Sequence, residues 1–220
     1  MVSDFVFASA IYKSGDWESA QLLPVNLIDS VAKYTALPIA PKGVNVDLGS
    51  EEIFQYPFVW LTGHLPVRFT EQERINLKRY VERGGFMVID DHNHDIDGIF
   101  HKTVQEEISR AFGSHESKTK DPTDGVISGA LQPIPRDHEL YHCFFKFSSG
   151  APATHQELNG WGDQLMHHNL FGLIKDGRIG LLWSSKDYSS EWDFHPDTKQ
   201  FMQVDLTRFG VNMIVYALTR

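Results

Sequence analysis

Short apolar runs alternate with longer amphipathic segments along the chain, and this alternation limits the fold more than any other feature. Residues 85–89 have the apolar character of a buried strand. They lie between residues 70–83 and 100–112, where apolar side chains recur at helical spacing. Neighbouring parallel strands need a crossover connection, which is usually a helix. The alternation therefore favours an α/β fold with a mostly parallel, doubly wound sheet.

The same alternation continues toward both ends of the chain. Further strands are predicted at residues 5–11, 44–48, 58–61 and 178–183, and further helices near 27–34 and at 209–218. With 220 residues, 41% of them hydrophobic, the chain is long enough for one domain with a substantial core. We predict a single domain at 1–220, with a surface excursion at about 114–165.

Charge and hydropathy exclude two classes of partner. The net charge is -9, and the basic residues are scattered, so a nucleic-acid-binding surface is not expected. No run reaches the roughly 20 apolar residues that a membrane-spanning helix needs. The first residues do not resemble a signal peptide. We expect the chain as given to be soluble, either cytoplasmic or exported after removal of a signal that is not present in it.

Seven motifs occur in order along almost the whole chain. They are YKSGDW at 12–17, YPF at 56–58 leading to TGH at 62–64, GGF at 84–86 leading to DD at 90–91, DHELYH at 137–142, NGWGD at 159–163, DY at 187–188 and FGVN at 209–212. Together they resemble the bacterial domain of unknown function 4159 family from about residue 5 to residue 219. The resemblance implies a flavodoxin-like, class I glutamine amidotransferase-like three-layer sandwich with no assigned activity. It also implies relatives that are often exported or membrane-linked.

Polar residues are predicted to gather where the parallel strands end, because ligands of open α/β sheets bind in the crevice at the carboxyl ends of the strands. The strand-end candidates for ligand binding are Tyr12, His64, Asp90, Asp91, Asp187 and Tyr188. Tyr141 and His142 offer a second acid-base cluster, and Trp161 lies in a glycine-flanked loop where it can stack on a sugar or anchor a protein. The alternative is that these side chains only tie loops together or cover the core.

The loop at 90–101 is the densest patch of ionisable groups, and its carboxylates and imidazoles are good ligands for a divalent metal ion. The candidate metal ligands are Asp91, His92, His94 and Asp95. His92, His94 and His101 depart from the family pattern, so this hypothesis depends on the present sequence alone. The alternative is that the aspartates accept backbone hydrogen bonds while the histidines are solvated. The adjacent pair His167 and His168 is predicted to lie on the surface, because neighbouring side chains diverge.

Two common catalytic devices are missing from the sequence. Amidotransferase catalysis needs a cysteine on a tight strand-to-helix turn, but the turn at 61–66 has none, and Cys143 is predicted to be a buried structural thiol. No Gly-x-Ser-x-Gly elbow is present. Three hypotheses remain. The first is a non-catalytic module that binds a small polar ligand, glycan or protein, the second is a metal-assisted hydrolase, and the third is a scaffold that acts through an exposed face.

Overall fold

The computed structural model describes residues 4–118, 121–193 and 204–220. Within these ranges the chain forms nine strands and six α-helices. The strands are β1 (Ala8–Ile11), β2 (Val44–Asp47), β3 (Phe58–Gly63), β4 (Phe86–Asp91), β5 (Glu116–Lys118), β6 (Val126–Ser128), β7 (Gln132–Pro133), β8 (Phe171–Lys175) and β9 (Arg178–Ser184). The helices are α1 (Leu23–Tyr34), α2 (Glu71–Glu82), α3 (Ile99–Phe112), α4 (His155–Asn159), α5 (Tyr188–Asp193) and α6 (Val204–Thr219). None of the described helices has the length and apolar character needed to cross a bilayer.

Seven of the strands form one sheet in the order β2-β1-β3-β4-β9-β8-β7. The first five are parallel, whereas β8 runs antiparallel to both β9 and β7. From β1 the chain moves outward to β2 and then returns to the other side at β3, so the order of the strands reverses between β1 and β3. The predicted α/β fold with a mostly parallel sheet is confirmed, and the antiparallel edge is an addition that we did not predict.

Helices cover both faces of the sheet, and every residue of β3 and β4 is therefore buried. On one face, α1, α5 and α6 pack over a core that includes Phe58 and Trp60. On the other face, α2 and α3 pack over a core that includes Val59 and Leu61. Successive side chains of a strand point to opposite faces, which explains why these neighbours enter different cores. The result is a three-layer arrangement of helices, sheet and helices.

The helices at 70–83 and 100–112 are confirmed as α2 and α3, and both have the end signals expected from the sequence. Thr70 Oγ1 accepts a hydrogen bond from the Glu73 backbone amide, and the Glu73 carboxylate accepts one from the Thr70 amide at 2.6 Å. Glu73 also accepts a hydrogen bond from the Lys13 amide at 2.8 Å, which ties α2 to the loop after β1. Gly113 ends α3 with a φ of 69°, a conformation in which glycine has no side-chain penalty.

The segment predicted as a surface excursion at 114–165 contributes more to the core than we expected. Its β5 and β6 form an antiparallel pair, as a short hairpin would. However, four apolar side chains of this segment are buried, because it packs against α3, β8 and α6: Ile127, Leu131, Ile134 and Leu140.

The first strand is shorter than predicted, and Phe5 forms only an isolated bridge with Ile39.

Candidate functional site at the carboxyl end of the sheet

The parallel strands β1, β3, β4 and β9 end at one edge of the sheet, and polar residues lie at all four ends. The strand register places Thr62 beside Asp90, and Asp90 beside Ser184. Thr62 Oγ1 donates to the Asp90 carbonyl oxygen at 2.8 Å, and the Tyr12 hydroxyl donates to the Thr62 carbonyl oxygen at 3.0 Å. These buried hydrogen bonds connect the ends of β1, β3 and β4 and fix the frame of the site.

Asp16, in the loop after β1, holds His64, which follows β3. Asp16 Oδ1 accepts hydrogen bonds from the amides of His64 and Leu65 at 2.8 and 2.9 Å, and Oδ2 lies 2.9 Å from His64 Nδ1. Burial raises the pKa of Asp16, but these hydrogen bonds together outweigh burial and lower the pKa. Since the carboxylate only accepts, His64 Nδ1 carries the hydrogen, and in the neutral ring Nε2 keeps its lone pair. The His64 side chain is 40% exposed, so this Asp16–His64 dyad is open to solvent.

His92 extends the dyad toward the interior. Its ring stacks on His64, with ring centroids 4.2 Å apart and an interplanar angle of 27°. His92 Nδ1 lies 3.2 Å from Ser19 Oγ, and Nε2 lies 3.9 Å from Asp187 Oδ1. Burial, together with the neighbouring His64, lowers the pKa of His92 to about 4. The ring is therefore neutral at neutral pH, so it has one donor and one acceptor nitrogen and adds no charge to the cluster.

Three buried carboxyl groups, Asp90, Asp91 and Asp187, complete the cluster. Asp90 Oδ2 accepts hydrogen bonds from the amide and hydroxyl of Ser189 at 2.7 and 2.8 Å, and Asp91 Oδ1 accepts one from the Asn93 amide at 3.0 Å. Burial raises the pKa of all three groups, to about 6 for Asp90, and repulsion among them raises those of Asp91 and Asp187 further. One oxygen of Asp90 and one of Asp91 have no hydrogen-bond partner in the described part of the chain. The cluster can therefore retain protons close to neutral pH.

A groove of about 360 Å³ lies on the sheet face next to β1 and β2, and the loop after β1 forms part of its lining. The side chains that line it are mostly polar, with one indole. They include Ser9, Trp17, Glu18, Gln21 and Asn45. The segment at 16–21 supplies four of the lining side chains, and it also carries Asp16 and Ser19, which contact His64 and His92. Its volume lies at the lower end of the range for small-molecule sites.

A comparison with protein families matches residues 6–218 to the family described as Domain of unknown function (DUF4159). The chain belongs to this family. A search of curated proteins gives no match. The DUF4159 match includes the dyad, the three carboxyl groups and the groove, so the whole candidate site lies within the family domain.

Four of the predicted binding residues of this DUF4159 domain are not part of the cluster. Tyr188 is buried beside it, but its hydroxyl donates to the Pro152 carbonyl oxygen at 3.3 Å. Tyr141 is buried under α6, while His142 and Trp161 are exposed elsewhere on the surface. The structure brings together the other five candidates, which are Tyr12, His64, Asp90, Asp91 and Asp187.

The four predicted metal ligands of the DUF4159 domain, Asp91, His92, His94 and Asp95, do not face a common point. His92 turns toward His64, whereas His94 turns away from it toward Asp163 and His167. Asp95 Oδ1 accepts a hydrogen bond from the backbone amide two residues further on. These four residues therefore offer no shared position for the ion that the metal-assisted hydrolase hypothesis requires.

The prediction that His167 and His168 lie on the surface is wrong for His167. His168 is exposed, but His167 is only 3% exposed, and its Nδ1 lies 2.7 Å from the Thr123 carbonyl oxygen. Asp16 was not among the predicted site residues, although it lies in the loop that follows the first strand. Loops at the carboxyl ends of strands are common places for ligand contacts, and this position was the signal for Asp16.

Cys143 has the environment of a structural thiol. It is partly buried, and its Sγ lies 3.4 Å from the Asn212 carbonyl oxygen. Burial raises the pKa of the thiol to about 11, so little thiolate forms at neutral pH. The Thr62 hydroxyl, near the end of β3, is buried between Asp90 and Ser189.

Proposed function

We propose that this DUF4159 domain binds a small, hydroxyl-rich ligand such as a sugar at the carboxyl end of its sheet. The observation that carries the proposal is the pairing of an open Asp16–His64 dyad with an adjacent polar groove that contains an indole. A fixed imidazole with a free Nε2 accepts a hydrogen bond from a hydroxyl group. The indole of Trp17 gives a sugar ring an apolar face to pack on.

The fold supports a ligand site at the Asp16–His64 dyad. We propose that the domain is flavodoxin-like and related in architecture to the class I glutamine amidotransferases. The five parallel strands follow the order β2-β1-β3-β4-β9, which corresponds to the doubly wound order of flavodoxin-like sheets. In such sheets the crevice opens where the order reverses, which is here between β1 and β3. Tyr12 and His64 directly follow these two strands.

Binding fits the chemistry of the site better than covalent catalysis does. Asp90, Asp91 and Asp187 are buried, and the Thr62 hydroxyl is held in internal hydrogen bonds, so none of them reaches a ligand in the groove. The exposed His64 is the one titratable ring of the cluster in open contact with solvent. Its role in this proposal is to accept a hydrogen bond from a ligand hydroxyl group at Nε2.

The proposal is tested by saturation-transfer NMR and calorimetry with glucose, galactose, mannose and N-acetylglucosamine. We expect at least one of these sugars to bind, and Trp17→Ala to weaken that binding by about fivefold or more, since stacking contributes about 1 kcal/mol. His64→Ala should weaken it as well. The matched control is Trp161→Ala, which removes an exposed indole that does not line the groove.

Two results would contradict the proposal. The first is no binding of any of the four sugars at millimolar concentration. The second is a loss of binding in Trp161→Ala with none in Trp17→Ala, which would move the ligand to the loop at 159–163. Circular dichroism of each variant checks that the fold is retained, because Trp17 also packs against the core.

A further inference from the structure

A second polar cluster lies behind the loop that follows β4, and it contains His94, Asp163 and His167. His94 Nε2 lies 3.6 Å from Asp163 Oδ1, and His167 Nε2 lies 3.2 Å from Asp163 Oδ2. One ligand atom from each of the three residues lies within 4.8 Å of the others. We propose that these three side chains form a closed binding site for a divalent transition-metal ion of the zinc class.

The distances between the three residues fit one ion. Zinc binds histidine nitrogen and carboxylate oxygen at roughly 2.0–2.2 Å, so ligand atoms around a tetrahedral ion are roughly 3.3–3.6 Å apart. The two contacts, one to each oxygen of the Asp163 carboxylate, lie close to this separation, so an ion between the two rings would lie against both oxygens. Two imidazoles and one carboxylate are also a common ligand set for zinc and for other first-row ions.

The two histidines present the correct nitrogen. His94 Nδ1 lies 2.8 Å from the Ser185 carbonyl oxygen, and His167 Nδ1 lies 2.7 Å from the Thr123 carbonyl oxygen. A carbonyl oxygen only accepts, so each Nδ1 carries the hydrogen. In the neutral form of each ring the lone pair is then on Nε2, which faces Asp163. Carbonyl partners of this kind orient the histidine ligands of known metal sites.

When both rings are neutral, neither Nε2 atom of the cluster has a satisfactory hydrogen bond. His167 Nε2 is fully buried and has no hydrogen-bond partner among the residues that the structure describes. His94 Nε2 lies 3.2 Å from the Leu165 carbonyl oxygen. If His94 Nε2 carries a lone pair, it and the Leu165 carbonyl oxygen are both acceptors, and they face each other without a hydrogen between them. A metal ion resolves both conflicts and gains the Leu165 oxygen as a candidate fourth ligand.

The backbone places the Asp163 carboxylate against the two rings. The Asp163 amide donates to the His94 carbonyl oxygen at 2.9 Å, and the carboxylate accepts from the amides of Ile96 and Leu165 at 3.1 and 2.9 Å. Gly162 has a φ of 64°, and a Cβ at this position would collide with the His94 carbonyl oxygen. The close approach of the two loops therefore requires this glycine.

The surroundings suit a structural ion. His94 and His167 are almost completely buried, so the site has no open position for a substrate. Behind His167, Lys186 Nζ donates to both oxygens of Glu157 and to the His167 carbonyl oxygen. This buried pair balances its own charge and leaves the Asp163 carboxylate to balance the ion. The bound ion would join the loop after β4 to the segments that contain Thr123 and residues 163–167.

The test uses the full chain purified without a histidine tag, stripped with chelator and titrated with ZnCl₂ by calorimetry. We expect one zinc ion per chain and a higher melting temperature that EDTA reverses. His167→Ala and Asp163→Asn should raise the zinc Kd by at least about 100-fold. The matched control is His168→Ala, which removes the adjacent exposed imidazole and should leave the Kd unchanged.

Three results would overturn the proposal. They are no stoichiometric zinc binding to the wild-type chain at micromolar concentration, unchanged binding in His167→Ala, or an equal loss in His168→Ala. The first result would mean that protons on the imidazoles satisfy the cluster. If His167→Ala does not fold, the visible spectrum of Co²⁺ bound to the wild-type chain still tests the proposal. A tetrahedral visible spectrum with one equivalent supports the site, and an octahedral spectrum contradicts it.

Discussion

Replacing Asp90 with asparagine should remove a large part of the pH dependence of stability. Asp90 is fully buried, with Asp91, Asp187 and the buried Lys186 near it, and burial raises its pKa from 3.8 to about 6. The folded chain therefore holds this proton more tightly than the unfolded chain does. The stability that this proton gives the folded chain is lost as pH rises from about 4 to about 6. A difference of about two pH units corresponds to about 3 kcal/mol, because each unit is about 1.4 kcal/mol.

Asp90→Asn keeps the shape of the side chain, and its amide oxygen can still accept the two hydrogen bonds from Ser189. Its NH₂ group replaces the carboxylate oxygen that has no partner among the described residues. Urea unfolding between about pH 4 and about pH 7.5 should show the wild type losing about 3 kcal/mol relative to the variant. Asp97→Asn, which removes an exposed carboxylate nearby, is the control for a general charge effect. If the unfolding free energies of Asp90→Asn and the wild type change in parallel with pH, the raised pKa of Asp90 is refuted.

Three further predictions follow from single contacts. Gly160→Ala should lower the unfolding free energy by about 1 kcal/mol, because alanine is disfavoured at a positive φ. Gly162→Ala should lower it by about 3 kcal/mol or more, because its added Cβ would also collide with a backbone oxygen. Urea unfolding compares them, and equal costs would be inconsistent with the loop packing. Lys186→Met should cost about 3–5 kcal/mol in the same assay, because it leaves a buried carboxylate unpaired; a neutral effect would contradict this. Cys143 should react with a disulfide reagent about 100-fold more slowly in the folded chain than in urea, and equal rates would argue against the raised pKa.

The regular elements were predictable because their signals are local. The stripe of Leu77, Tyr80 and Val81, the capping pair at Thr70 and Glu73, and the glycines that follow were enough to define α2. The parallel order of the main strands followed from the helices between them. The edge strands β7 and β8 gave no comparable signal. β7 has only two residues, and β8 was short and adjacent to the stronger run of β9.

The candidate site was only partly predictable, since burial of polar groups depends on partners that are distant in sequence. The meeting of His64, Asp90 and Asp187 followed from the rule that parallel strands end at one edge. His167 could not be placed in this way. The oxygen that its Nδ1 contacts belongs to Thr123, 44 positions earlier, and nothing local to the two histidines distinguishes the buried ring from the exposed one.

The loop after β4 connects the two polar clusters, and this connection explains the density of ionisable residues that the sequence shows there. His92 stacks on His64 in the open cluster, and the Asn93 side chain donates to the His64 carbonyl oxygen at 3.0 Å. The next residue, His94, has a φ of 49°, which is uncommon outside glycine, and its ring enters the closed cluster with Asp163. The strain of this turn is offset only if contacts on both sides hold it. An ion at His94 would therefore also fix the position of His92, so the closed cluster would hold in place the ring that stacks on His64.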